Sequence, residues 1–352
     1  MALVMLALNG TGLGHLIRTV IVSELLASVG ERAEIFSEGK YHPSGWEHFP
    51  VHQVPSLWAS SEEVRRRVAA QLTATAAKSE PAVVVEDTHP NPIHLPTRIR
   101  RVLLVRPTSF EYLAGLNERY GSVYSAFLLC DSPGSPTWPY TEDQTRQLKD
   151  WDRWHIVGPI YRTPTEEEAR SVQERYRLGA DSSVCVFSMG GGGVHVKDAK
   201  GYDIVRFLRL ALEVAQLIQA ADLKARLLFV KGPYFPKRIP VPQLFEVVQD
   251  DVQMPALLKA ARGAVIRAGF NSTWECLAGR TPFLPLIGTT YKEPLEERIG
   301  RLTAMGLVPA TPEQFWTDAE WRAGYRRIAE DIVTRLPGTP DASYLKHLVL
   351  GV

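Results

Sequence analysis

The glycine-rich stretch Gly10-Thr11-Gly12-Leu13-Gly14-His15 combines two kinds of chemistry. Glycines let a backbone turn tightly and come close to a ligand. A helix starting there would offer free N–H groups and a positive dipole end to an anion. An imidazole ordinarily titrates near neutrality, so a histidine at this position can take a proton from a reacting hydroxyl. In that reading Gly12 and Gly14 touch a sugar or a phosphate. Plain strand-to-helix packing also asks for such a turn, and then His15 is a surface residue. A dinucleotide site with Glu38 on a ribose is a third reading, but the spacing is G-x-G-x-G and not G-x-G-x-x-G.

Two later stretches repeat the theme. Met189 is followed by Gly190, Gly191, Gly192 and Gly193, with His195 and Lys197 close behind. Four consecutive glycines expose a run of backbone N–H groups that can wrap a pyrophosphate. Further on comes Arg267-Ala268-Gly269-Phe270-Asn271-Ser272-Thr273-Trp274-Glu275. Asn271, Ser272 and Thr273 can cap a helix there and bind phosphate oxygens. Glu275 can accept hydrogen bonds from a ribose diol, or serve only as a favourable first-turn acid. Glu293, Glu296 and Glu297 with Arg298 are either a solvated helix start or carboxylates that read sugar hydroxyls. Asp87 and His89 follow a strand-like run, where either can orient His15, touch a second substrate or simply close a turn.

The elements that must position these residues alternate. Apolar runs suited to strands buried on both faces lie at 3–8, 33–37, 51–54, 82–85, 102–105 and 127–129. His155 to Ile160 is another strand-like run. A helical pattern covers 16–28, closed by Gly30. Ser60 with Glu63, and Thr165 with Glu168, have the spacing of capping boxes. A second series has strand runs at 184–188, 226–231, 245–248, 264–267 and 282–287, with a long helix at 203–220. Helical patterns at 317–336 and 342–350 end the chain. Alternation of this kind predicts parallel α/β sheets, with ligands beyond the carboxyl ends of the strands. A linker is expected near 157–165.

The chain has 352 residues, enough for about two domains. Its 40 basic and 39 acidic residues leave a formal net charge of +1, so no overall field favours nucleic acid or an anionic membrane. Cys130, Cys185 and Cys276 form no C-x-x-C pair, which points to reduced, buried thiols in a cytoplasmic protein. The apolar N-terminus reads as a first strand and not a signal peptide, and no apolar run is long enough to span a membrane. No H-E-x-x-H, G-x-S-x-G or Walker loop is present, and the histidines lack metal-ligand spacing.

The order of the pieces resembles the GT-B glycosyltransferases, and most of all the branch around the N-acetylglucosaminyltransferase that makes lipid II. Gly12 to His15 resembles that branch's N-terminal Gly-Gly-His loop, with Leu13 inserted. Thr273-Trp274-Glu275 ahead of Ala278-Gly279-Arg280-Thr281-Pro282 looks like its late serine–glutamate step. Gln253-Met254-Pro255-Ala256-Leu257-Leu258 is similar to its Met-Pro segment near the base pocket. The resemblance implies two Rossmann-like domains facing across a cleft: 1–160 for the acceptor and 161–335 for the nucleotide sugar. Residues 336–352 would cross back to the first domain. It implies Glu275 on the ribose, and Asn271, Ser272, Thr273 and Gly190 to Gly193 on the diphosphate. It would place Arg267 in that nucleotide site, backbone near Val252 to Met254 on the base, and His195 on a sugar or phosphate. His15 would act as base, with Asp87 assisting, and the anomeric carbon would invert. The nucleotide sugar, UDP or dTDP, would be a co-substrate, and the resemblance implies no cofactor or metal. Glu293-Pro294-Leu295-Glu296-Glu297 departs from the branch's glutamine-containing sugar-reading step, so the sugar need not be N-acetylglucosamine. Trp46, Trp58 and Trp138 suit a flat or aromatic small-molecule acceptor. A nucleotide-sugar hydrolase or 2-epimerase on the same fold is the alternative, followed by a nicotinamide dehydrogenase and a non-enzymatic recruiting subunit.

Overall fold

Short apolar runs closed by glycine or polar turns fold here as parallel strands. The computed structural model describes residues 2–7, 13–38, 49–178, 183–190, 204–233, 235–248, 253–286, 295–336 and 340–351. Backbone packing divides the chain into two units. Met1–Gly134, Trp138–Ile160 and Gly338–Val352 make the first, and Ser135–Thr137 with Tyr161–Pro337 make the second.

The first unit runs β1 (Ala2–Ala7), α1 (Leu13–Ser28), β2 (Arg32–Ser37), β3 (Val51–Gln53), α2 (Glu62–Ala76), β4 (Val83–Asp87), β5 (Arg100–Val105), α3 (Phe110–Tyr120), β6 (Ala126–Leu129), α4 (Glu142–Asp150) and β7 (Trp154–Ile156). Its parallel sheet has the order β3-β2-β1-β4-β5-β6-β7. The chain leaves β1 on one side, then returns to β4 on the other, so β1 and β4 flank the switch point where such sheets bind ligands. Successive strand residues feed opposite faces, as the two-residue period requires. Val83 and Val85 of β4 pack in one core with Val20 and Leu26 of α1, while Val84 packs in another with Leu72 of α2.

The second unit contains α5 (Glu166–Tyr176), β8 (Val184–Ser188), α6 (Ile204–Ala221), β9 (Arg226–Val230), β10 (Glu246–Val248), α7 (Met254–Ala260), β11 (Gly263–Ile266), α8 (Phe270–Ala278), β12 (Phe283–Pro285), α9 (Leu295–Ala304), α10 (Pro312–Thr317) and α11 (Ala319–Arg335). Its parallel sheet has the order β10-β9-β8-β11-β12, which puts the switch between β8 and β11. The apolar stripe of α6, from Phe207 and Ala211 to Val214 and Ile218, packs on Phe187 and Phe229.

The last helix, α12 (Ala342–Leu350), belongs to the first unit. Leu345, Leu348 and Val349 share a core with α1, and Arg100 donates from Nε to Val349 O at 2.9 Å and from Nη2 to Leu348 O at 3.1 Å. Gly351 closes the helix at φ +74°, where a Cβ would also lie 2.8 Å from the Arg100 guanidinium. Among the described residues no helix is long and apolar enough to cross a membrane.

Local expectations fare unevenly. Thr165 and Glu168 do form the capping box, with Thr165 Oγ1 accepting from Glu168 N at 3.1 Å and Glu168 Oε2 from Thr165 N at 2.8 Å. Ser60 does not cap α2. Ser61, directly before the first helical residue, accepts from Val64 N, while the Ser60 hydroxyl donates to Ser56 O at 2.6 Å within the preceding turn. The strand expected over 155–160 is Trp154–Ile156, because Gly158 at φ +88° and Pro159 turn the chain away from the sheet.

Candidate active site

In the first unit, β1 leads to α1, whose first turn carries His15, and the neighbouring strand β4 ends at Asp87. Both residues therefore lie at the β1/β4 switch point. His15 Nδ1 is 3.4 Å from Asp87 Oδ2, with the His15 side chain 14% exposed and Asp87 1%. One turn further along α1, Arg18 reaches the same carboxylate. Its Nε donates to Oδ1 at 3.1 Å, and its Nη2 to Oδ1 at 2.7 Å and Oδ2 at 2.9 Å. Burial alone would push the Asp87 carboxyl up. The Arg18 charge and the His15 contact outweigh it and hold the group at about 2, against an ordinary 3.8. Asp87 is thus an anion at any neutral pH.

The next residue, Thr88, has φ +67°, a left-handed conformation that a β-branched residue rarely adopts. Its hydroxyl donates to Asp87 Oδ1 at 2.9 Å, and Arg18 Nη2 donates to it at 2.9 Å. Strain of this kind persists where surrounding bonds over-determine the backbone, and it clusters at functional sites. His89 follows, with Nδ1 2.5 Å from the Tyr112 hydroxyl and its ring centroid 6.4 Å from that of His15. Arg18 is not among the residues that the sequence pointed to. The signal for Arg18 was there: it is the sole arginine or lysine of α1, set in an apolar helix, and a buried cation needs a buried anion.

In the second unit, Ser188 of β8 pairs with Ile266 of β11, and Arg267 N donates to Ser188 O at 3.2 Å. The turn after β8 and the turn before α8 are thereby joined at the switch point. Gly190 stands in the first turn at φ +82°. The second carries Arg267, Asn271, Ser272, Thr273 and Glu275. The helix cap differs from expectation. Gly269, extended at φ −65° and ψ 160°, is the N-cap and supplies no side-chain bond. Asn271, Ser272 and Thr273 follow inside the helix, because the chain turns into α8 directly from the strand. Thr273 Oγ1 is buried and makes no hydrogen bond among the described residues.

Glu275, one turn in, stays partly open to solvent. Its low-dielectric surroundings push the carboxyl up to about 7. Two neighbours fix this turn. Trp274, fully buried, donates from Nε1 to Thr137 Oγ1 at 3.0 Å and stacks on Tyr161 with centroids 5.0 Å apart. Arg298, 1% exposed, donates from Nη1 to Ala268 O at 2.8 Å. The sequence had offered Arg298 only as part of an acidic helix start.

The remaining candidates separate. Glu296 and Glu297 are exposed in the first turn of α9, Glu297 within 4.0 Å of Arg301. Met254 opens α7, with Pro255 in its first turn. Gly14 lies in the first turn of α1. Trp58 is 54% exposed, and Trp138 is buried. Gly12, Trp46, Gly191, Gly192, Gly193, His195, Val252 and Glu293 lie outside the described residues. Among the described residues no group of three or more His, Cys, Asp or Glu is placed to hold a metal ion.

No family model and no curated protein matches this sequence. Solved structures do match, over nearly the whole chain. The glycosyltransferase SnogD from Streptomyces nogalater is 15% identical with a TM-score of 0.59, covering 100% of this chain and 99% of that one. The glycosyltransferase of kitacinnamycin is 14% identical with a TM-score of 0.58, covering 99% of each chain. Phytolacca americana UGT2, complexed with UDP-2fluoro-glucose and pterostilbene, is 13% identical with a TM-score of 0.57, again over 99% of each. The fold is that of the GT-B glycosyltransferases. The GT-B fold accounts for the two separate parallel sheets, each with its own switch point, and for a likeness that runs end to end.

Proposed function

We propose that this chain is an inverting glycosyltransferase that moves a sugar from a nucleoside-diphosphate sugar, UDP or dTDP, to a small-molecule natural-product acceptor. The observation that carries the reading is His15 held against an ionised, buried Asp87 at the first unit's switch point. With Nδ1 turned to Asp87, Nε2 is left to take the proton of an acceptor hydroxyl. The acceptor oxygen then bonds to the anomeric carbon as the bond from that carbon to the phosphate oxygen breaks. The departing diphosphate gathers negative charge, which N–H groups at a helix start stabilise without reorganisation. The start of α8 and the turn at Gly190 suit that part, and Glu275 suits the ribose diol. Solved proteins of this fold include one bound to UDP-2fluoro-glucose and pterostilbene, which supports a nucleotide sugar with a small-molecule acceptor. The motif likeness to the lipid-II-forming branch is compatible with the same donor site, but we assign the acceptor to small molecules. The three free, buried cysteines fit a cytoplasmic setting.

The test pairs UDP- and dTDP-sugars with a panel of phenolic and polyketide acceptors and follows glycoside formation by mass spectrometry. His15→Ala is expected to lower turnover by at least about a hundredfold, the usual worth of a general base. Its thermal stabilisation by UDP should stay unchanged. Wild-type turnover in that variant removes His15 as base. Rapid sugar release without acceptor replaces the transferase reading by the hydrolase one.

A further inference from the structure

Asp87 faces two basic side chains at once. Arg18 takes both carboxylate oxygens, at 2.7 and 2.9 Å from Nη2, and His15 Nδ1 faces Oδ2 at 3.4 Å. Arg18 is 2% exposed and Asp87 1%, so water screens neither charge effectively. A histidine beside an unpaired buried carboxylate gains strongly from being protonated, which would remove the free base the transfer step needs. A guanidinium cannot give up its proton in a protein, so its charge is permanent.

We propose that Arg18 is a positioning residue that fixes the Asp87 carboxylate as the partner of His15 Nδ1 and offsets its charge, so that the His15 ring stays available as a proton acceptor. The inference rests on the reading of His15 as base and adds the group that tunes it. Both functions follow from the fork geometry. Three donor contacts from one planar group lock the carboxylate plane, and Thr88 Oγ1 at 2.9 Å from Oδ1 closes the remaining side. The α1 spacing does the rest, since residues three apart share a helix face and both reach the end of β4.

The other titratable groups around the cluster leave this pairing in place. His89, on the loop after β4, is tied through Nδ1 to Tyr112 of α3, whose hydroxyl burial pushes up to about 12. Arg106, after β5, acts on Tyr112. Cys130, at the end of β6, is a neutral thiol pushed up to about 12 by burial. Asp131 accepts from Ser132 N at 2.8 Å.

The test is a histidine titration by NMR on the full chain labelled at histidine Cε1, with His15 assigned from the signal lost in His15→Gln. Arg18→Gln keeps a hydrogen-bond donor near Asp87 and removes the charge. It should move the His15 midpoint upward by about one pH unit, the lower end of the range for a nearby charge. The acid limb of kcat/KM should follow, costing about tenfold in activity one unit below the wild-type limb. Arg18→Lys keeps the charge and loses the fork, so kcat should fall while the limb stays in place. Circular dichroism and UDP-induced stabilisation establish that each variant is folded. If Arg18→Gln does not fold, the Arg18→Gln/Asp87→Asn double variant against Asp87→Asn supplies the comparison with and without the Arg18 charge at fixed histidine. An unmoved His15 midpoint in a folded charge-removed variant overturns the inference. A midpoint that moves while turnover ignores pH upholds the tuning by Arg18 and overturns His15 as base.

Discussion

A carboxyl that has met an arginine and one that has not respond to pH in opposite ways, and the two candidate centres hold one of each. Asp87, lowered to about 2 from 3.8, adds stability above the unfolded value that is lost as pH falls through the folded one. Glu275, raised to about 7 from 4.5, does the reverse. Between those two values the native chain keeps a proton that the unfolded chain releases. Its contribution is full below 4.5, decays as pH rises and is gone above about 7. Glu275→Gln cannot titrate, so it should raise the melting temperature relative to wild type at pH 8 and leave the difference near zero at pH 4.5, read by calorimetry. The same carboxylate, once ionised, is the better acceptor for a ribose diol. UDP affinity of the wild type should therefore increase with pH through about 7 by titration calorimetry, while Glu275→Gln binds weakly and without pH dependence. A pH-independent wild-type affinity would take Glu275 off the ribose.

At the scale of elements, the turn after β8 depends on Gly190 for its conformation and not for space. Its φ is +82°, and a Cβ there would meet nothing within 4 Å. Gly190→Ala should cost about 1–2 kcal/mol from the left-handed backbone alone, and Gly190→Asn less, since asparagine tolerates that region. Urea midpoints in the order wild type, Asn, Ala would bear this out, and equal midpoints would show that the turn can relax. The turn was legible because an apolar strand run ends on glycines, and so were β4, β5, β8 and β11, whose runs are buried on both faces. α4 was not, because it buries only Leu148 and no apolar stripe marks it. α3 buries only Leu113 and Leu116, too few to show a period. Of the candidate centre in the first unit, His15 and Asp87 could be named from their places at strand ends. Arg18 carried a weaker mark, its place as the sole lysine or arginine of an apolar helix, which signals burial but not which anion it meets. Only its buried partner, 69 positions away, gives it a role. The Ser60 cap slipped by one residue because Ser60 and Ser61 are adjacent and either can precede a helix.

For the whole molecule, chain order and packing disagree in one useful place. The first unit is assembled from the beginning of the chain and its last helix, with nearly all of the second unit inserted between them. Leu345, Leu348, Val349 and Leu350 of α12 are buried in the core that also holds Leu16, Val20 and Ile21 of α1, the helix that carries His15 and Arg18. Removing residues 340–352 therefore strips one side from α1. Losing a buried leucine costs about 2–5 kcal/mol, and several at once would exceed the whole stability of an ordinary domain, about 5–15 kcal/mol. The second unit keeps its own cores, built from residues such as Trp274, Leu257, Phe187 and Phe229. The truncated chain should accordingly lose its first unit's cooperative melting and all glycosyl transfer, while UDP still raises the melting temperature of what remains. Hydrogen exchange localises the effect: amides of α1 and β4 should lose protection, and those of β8 and β11 should keep it. Equal loss of protection in both sheets would mean that the units do not fold as separate cores, and the assignment of donor chemistry to one and proton transfer to the other would have to be drawn from the chain as a single body.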